Sequence, residues 1–217
     1  MLRPLLRTFH APIYEHRKQV LVKLISPHLK PGDRVLDIGC GFGHLGRALM
    51  DASPDVRVEG LESVKRGGEL IPVTAYSGHR MPFPDQTFDA VILADVLHHD
   101  EDQQRLLSEA VRISRNLVII KDHIRGSILA QQRISLLDWA ANAGYNVPCL
   151  YKYHDLQEWH ALVKKFSSGI VEERTSIDVY PPFFNELLGK SLHYFVVFHP
   201  AVKAAVRPQP SQVVSRG

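Results

Sequence analysis

Hydrophobic residues follow two rhythms along this chain. Ile13, Val20, Leu21, Leu24 and Ile25 recur at helical spacing and Pro31-Gly32 ends the run, which predicts a helix over 12–30. Arg34-Val35-Leu36-Asp37-Ile38 then reads as a short strand, His44 to Ala52 as a helix, and Val56 to Glu62 as a second strand. Ile71 to Tyr76 reads as a third strand, which Pro72 assigns to a sheet edge. Phe88 to Ala94 is continuously apolar, the pattern of a strand buried on both faces of a parallel sheet. A helix over 100–114 and the strand Leu117 to Lys121 complete an alternation that specifies a doubly wound, mostly parallel α/β sheet. Further on, helices are expected near 127–143 and 155–166, and strands near 170–180 and 192–198 on either side of Pro181-Pro182. Residues 200–217 show no periodicity and read as a disordered tail.

Composition narrows the class. Hydrophobic residues make up 45% and charged residues 23% of 217, the balance of a single globular domain. No apolar run approaches the length of a membrane span. Two cysteines, Cys40 and Cys149, argue against a disulfide framework and for a reducing, cytoplasmic setting. The net charge of +3 is segregated. Residues 1–34 carry seven Lys/Arg against Glu15 and Asp33, and 200–217 carry Lys203, Arg207 and Arg216 with no acid, whereas the body between is acidic. A nucleic-acid binder carries its basic stripe on the folded body, so no nucleic-acid partner is expected.

The candidate ligand loop is Asp37-Ile38-Gly39-Cys40-Gly41-Phe42-Gly43, at a strand-to-helix junction. Alternate glycines let the backbone turn tightly and approach a ligand at the carboxyl edge, where open α/β sheets bind. A dinucleotide loop would read G-x-G-x-x-G; here the third glycine comes one residue early and His44 stands where Gly or Ala is wanted. Asp37 would repel phosphate, and no Gly-Lys-Ser/Thr follows. The loop suits a ligand with an ammonium group and a sulfonium centre.

With Glu62 ending the second strand, Met81 to Asp89, and Val96-Leu97-His98-His99 in order behind it, this loop resembles that of the class I S-adenosylmethionine-dependent methyltransferases of the small-molecule type. The resemblance covers residues 30 to about 123. It implies a seven-stranded Rossmann-like sheet and S-adenosyl-L-methionine as cofactor. It also implies a cofactor site of Asp37, Gly39, Cys40, Gly41, Gly43, Glu62, Ser77, Gly78, Ala94 and Asp95. Glu62 would accept both ribose hydroxyls, since a carboxylate takes two donors side by side. Ser77 departs from the family's usual acid beside the adenine. Cys40 is read as a small residue that fits.

On the acceptor side, methyl transfer from a sulfonium needs alignment and exclusion of water, and a general base only where the acceptor loses a proton. His98 and His99 after the fourth strand and His123 after the fifth are the candidate catalytic residues, with Asp122 expected to orient His123. No metal is expected: a His is atypical for Mg²⁺, and no spacing suggests a closed Zn²⁺ site. The expected organisation is an N-terminal helical cap (1–30), a methyltransferase domain (31–199) with an acceptor-side insertion (124–166), and the tail (200–217). Arg7, His10, Arg17 and Lys18 of the cap would line an entrance favouring anionic acceptors. The function so implied is methyl transfer to a small, partly apolar or aromatic acceptor. The alternatives are a catalytically silent, cofactor-binding subunit of a heteromer and, behind it, a nucleic-acid methyltransferase.

Overall fold

The computed structural model describes residues 2–76, 80–126, 131–135, 150–182, 185 and 192–201, with side chains from residue 13 onward. Seven strands form one sheet: β1 (Arg34–Ile38), β2 (Arg57–Glu62), β3 (Val73–Ala75), β4 (Phe88–Ala94), β5 (Ser114–His123), β6 (Ser167–Arg174) and β7 (His193–Pro200). Their order is β3-β2-β1-β4-β5-β7-β6. All pairings from β3 to β5 are parallel, and β7 lies antiparallel between β5 and β6. The strand order reverses at β1, so the crevice between the carboxyl ends of β1 and β4 is where such a sheet receives ligands.

Four labelled helices cover the sheet: α1 (Leu2–Ile25), α2 (His44–Ala52), α3 (Gln103–Ile113) and α4 (Leu156–Phe166). Strand alternation sends Val35, Ile92, Ile119, Phe195 and Val197 to one face, where they pack with Leu21 and Ile25 of α1 and Leu45 and Leu49 of α2. Leu36, Val91, Val118, Ile120 and Tyr194 face the other way, against Leu107 of α3 and Trp159 and Phe166 of α4. Each fully buried side chain of this size contributes about 1.5–3 kcal/mol. The Trp159 ring stacks on Tyr194 at 4.8 Å and its indole N–H donates to the His123 carbonyl at 3.0 Å. This aromatic of the insertion is core.

The elements correct several expectations. The first helix spans Leu2–Ile25 rather than 12–30, and gives way to a 3-10 turn over Ser26–His28. Pro27 is responsible: without an N–H it cannot continue the α-helical ladder. β5 runs on to His123, and β6 spans Ser167–Arg174 rather than 170–180. β3 is an edge strand, as Pro72 requires. The tail calls on residues 202–217, Ser77, Gly78, Cys149 and most of the expected helix over 127–143 lie outside the described residues.

Candidate active site

The loop after β1 is built by its glycines. Gly39, Gly41 and Gly43 hold φ of +68°, +59° and +78°, the left-handed region that L side chains avoid. A Cβ on Gly39 would come within 2.5 Å of Val96, and one on Gly43 within 2.5 Å of Ile71. At Gly41 it would meet only the Arg66 guanidinium, at 3.9 Å. Backbone thus approaches the crevice closely while the space over Gly41 stays open. The Gly41 N–H donates to Glu62 Oε2 at 2.8 Å, and Ser63 N–H donates to Oε1 at 3.1 Å, so β2 delivers its terminal carboxylate directly to the loop. Asp37 is buried beneath. Burial and the nearby Glu62 push its carboxyl up to about 7, against a smaller opposing pull from Arg17. Cys40 is half-buried, and burial together with Asp37 and Glu62 pushes its thiol up to about 12. Its sulfur would lie 2.4 Å from a Cβ on Gly60, so a small side chain is what the site admits.

A second cluster sits across the crevice, at the ends of β4 and β5. Asp95 takes a left-handed backbone, φ +57°, unusual for a residue with a side chain. Lys121, 1% exposed in β5, donates to both its oxygens at 2.6 and 2.9 Å. Arg17 of α1 donates to the same carboxylate. Burial alone would raise the Asp95 pKa, but Lys121 and Arg17 outweigh it and hold the group well below the usual carboxylate range. Burial pulls Lys121 below its ordinary value, with Asp95 opposing.

Asp122 leaves β5 on the opposite side from Lys121 and His123. Its Oδ1 stands 2.6 Å from His98 Nδ1 and accepts the His123 backbone N–H at 2.7 Å. Burial opposes ionisation of Asp122, but the charge of His98 and the side chains of His123 and His98 beside it win, and its pKa lies well below the ordinary value. Asp122 therefore holds His98 at hydrogen-bond distance, while His123 Nδ1, expected from the sequence beside it, stands farther off at 3.6 Å from the same oxygen. His99 packs its ring on His98 at 4.0 Å, and Tyr153 lies 5.3 Å from His98 and 5.7 Å from His123. Burial lowers the His123 pKa, against Asp95.

The structure brings together Asp37, Gly39, Gly41, Gly43 and Glu62 on one side, and Asp95, His98, His99 and His123 on the other. It adds Lys121 and Arg17 as partners of Asp95, a pairing the sequence reading missed. Arg17 and Lys18, expected at a cationic entrance, are both committed: Arg17 to Asp95 and Lys18 to Glu15 at 2.7 Å. Ligand atoms of Asp95, His98, Asp122 and His123 lie within 4.8 Å of one another. Lys121 already stands on both Asp95 oxygens and Arg17 beside it, so protein cations supply the charge a metal ion would bring.

Comparison with known proteins assigns the segment that carries this crevice. Residues 36–119 match the family model described as "Methyltransferase domain". Over those residues the chain is a methyltransferase domain. It is 32% identical over 110 residues to the ubiquinone/menaquinone biosynthesis C-methyltransferase UbiE of Bordetella avium, covering 45% of this chain and 43% of that one. It is 32% identical over 100 residues to the 27-O-demethylrifamycin SV methyltransferase of Amycolatopsis mediterranei, covering 40% and 36%. The match thus spans less than half the length of these curated relatives. An S-adenosylmethionine-dependent methyltransferase from Methanosarcina mazei shares the fold at a TM-score of 0.59 and 17% identity, over 83% of this chain and 98% of that one. S-adenosylmethionine is the cofactor of the family, and the residues present fit it. The open space over Gly41 admits a ligand against the backbone, and two adjacent carboxyls, Asp37 and Glu62, suit a ligand that carries positive charge and hydroxyls.

Proposed function

We propose that this protein is an S-adenosylmethionine-dependent methyltransferase acting on a small, partly apolar or aromatic acceptor that gives up a proton during transfer. The observation that carries the reading is the pairing, across one crevice, of the glycine loop held by Glu62 with a buried His98–Asp122 pair. When bound, the cofactor supplies an electrophilic methyl on a good leaving group. The chain's own residues then do three things. Glu62 and the loop amides fix one partner at the β1 end. Ionised Asp122 accepts the His98 Nδ1–H, which fixes the tautomer with the lone pair on Nε2, the form in which His98 takes a proton from a hydroxyl or an acidic carbon. Lys121 and Arg17 hold Asp95 ionised and immobile at the β4 end, where the two partners meet.

Two curated relatives support a small-molecule acceptor: one is named for C-methylation in quinone biosynthesis, the other for a demethylrifamycin. Calorimetry with S-adenosylhomocysteine is the test. Binding by the full chain, weakened at least tenfold by Glu62→Ala, is expected; absence of binding overturns the reading. Label transfer from methyl-labelled cofactor to cell-extract metabolites would then identify the acceptor. Loss of that transfer in His98→Gln, with S-adenosylhomocysteine binding intact, is the result expected if His98 is the base.

A further inference from the structure

Beneath α1, both ring nitrogens of buried His193 have no hydrogen-bond partner among the described residues, and neighbouring His123 Nδ1 makes no hydrogen bond, standing 3.5 Å from Asp95 Oδ1 and 3.6 Å from Asp122 Oδ1. Because β7 runs against β5, its first residue arrives at the same sheet edge as the end of β5, and His193 pairs in register with His123. The two rings lie 5.1 Å apart, and the Tyr180 ring lies 5.2 Å from that of His193. Alternation along β7 sends His193 to the face of Phe195 and Val197, the face that α1 covers. His193 is 1% exposed. Burial, reinforced by Lys121 and His123, holds its pKa well below that of a free imidazole, so it stays neutral, with one N–H donor and one lone pair.

Such an arrangement is costly if nothing meets it. Each buried polar atom left dry costs about 1–3 kcal/mol, and a phenylalanine in the same volume would cost none. We infer that His193 and His123 form a subsite for a second oxygen, a hydroxyl or carbonyl, on the ring of the acceptor, away from the atom that receives the methyl. The subsite rests on the methyltransferase reading. A carboxylate is a poor occupant, because Lys121 and Arg17 are already spent on Asp95. A cation is poorer, in the field of those same two groups. A neutral oxygen substituent needs only the exchange of an N–H and a lone pair. His123 occupies the interval between the two ends of the crevice, its Nδ1 3.5 Å from Asp95 Oδ1 and its ring 5.1 Å from that of His193, which sets the subsite one ring away from Asp95.

The experiment titrates the S-adenosylhomocysteine-loaded full chain with hydroquinone and with phenol, by calorimetry and by ¹⁵N NMR of the histidine rings. Hydroquinone should bind about five- to tenfold more tightly than phenol, the worth of one added hydrogen bond. It should also move the ring resonances that vanish in His193→Phe. That variant should lose the preference, whereas His193→Gln, which keeps one donor and one acceptor, should retain it. Equal binding of the two phenols, no binding of either, or unmoved His193 resonances (internal water alone satisfying the ring) would overturn the subsite. S-adenosylhomocysteine binding in the same samples separates the failures. If it is absent, the methyltransferase reading falls. If it is present while His193 stays silent, only the subsite does.

Discussion

Gly39 and Gly41 share a left-handed backbone, yet only Gly39 is also short of space. Gly41→Ala should cost about 1–2 kcal/mol, the strain of that conformation alone. Gly39→Ala adds a clash with Val96, of order 1–3 kcal/mol for overpacking. Adding Val96→Ala should recover stability for Gly39→Ala and none for Gly41→Ala, as read in urea melts. Asp37 makes a pH prediction. Its folded pKa is raised to about 7, above the unfolded value of 3.8, so the folded state binds the proton more tightly. Stability from this group is present below pH 4 and is lost as pH rises through 7, by at most about 4 kcal/mol. Asp37→Asn should therefore gain most over the parent at pH 8 and little at pH 4; an unchanged difference across that range would refute the assignment. Cys40 behaves as a bystander in the same loop. With its thiol near 12, only about 10⁻⁵ of it is thiolate at pH 7, so iodoacetamide should label Cys40 in urea and spare it in buffer.

At the scale of elements, β4 and β5 are joined at their carboxyl ends by a buried charge pair. Asp95→Leu strands the buried Lys121 ammonium, and Arg17 beside it, and should cost about 3–5 kcal/mol. Adding Lys121→Met should recover part of that in thermal melts, the Arg17 share remaining lost. The strands themselves were legible in the sequence, because the apolar runs of β1 and β4 match their observed bounds. The pairing was not. Lys121 closes an apolar strand and resembles any strand-end lysine, and its partner lies 26 residues away. The Asp122–His98 bond was hidden for the same reason, its partners lying 24 residues apart. Pro27 was a nearer stop signal than Pro31-Gly32, standing where the α-helix gives way to the 3-10 turn.

At the scale of the molecule, a ligand that binds only the folded chain stabilises it. S-adenosylhomocysteine at 100 times its Kd should add about 2.7 kcal/mol, raising the Tm by roughly 5–10 °C for a chain of this size. Glu62→Ala should abolish that rise. The antiparallel course of β7 has a further consequence. Everything from β1 to β4 that faces the glycine loop is written before residue 95, while His193 and Tyr180 reach the same edge from the far end of the chain, by a strand that returns against its neighbours. Donor handling and a share of acceptor choice are thereby separable in inheritance. A recombinant that keeps residues 1–123 and takes a relative's remainder would keep the same methyl donor while learning a different substrate.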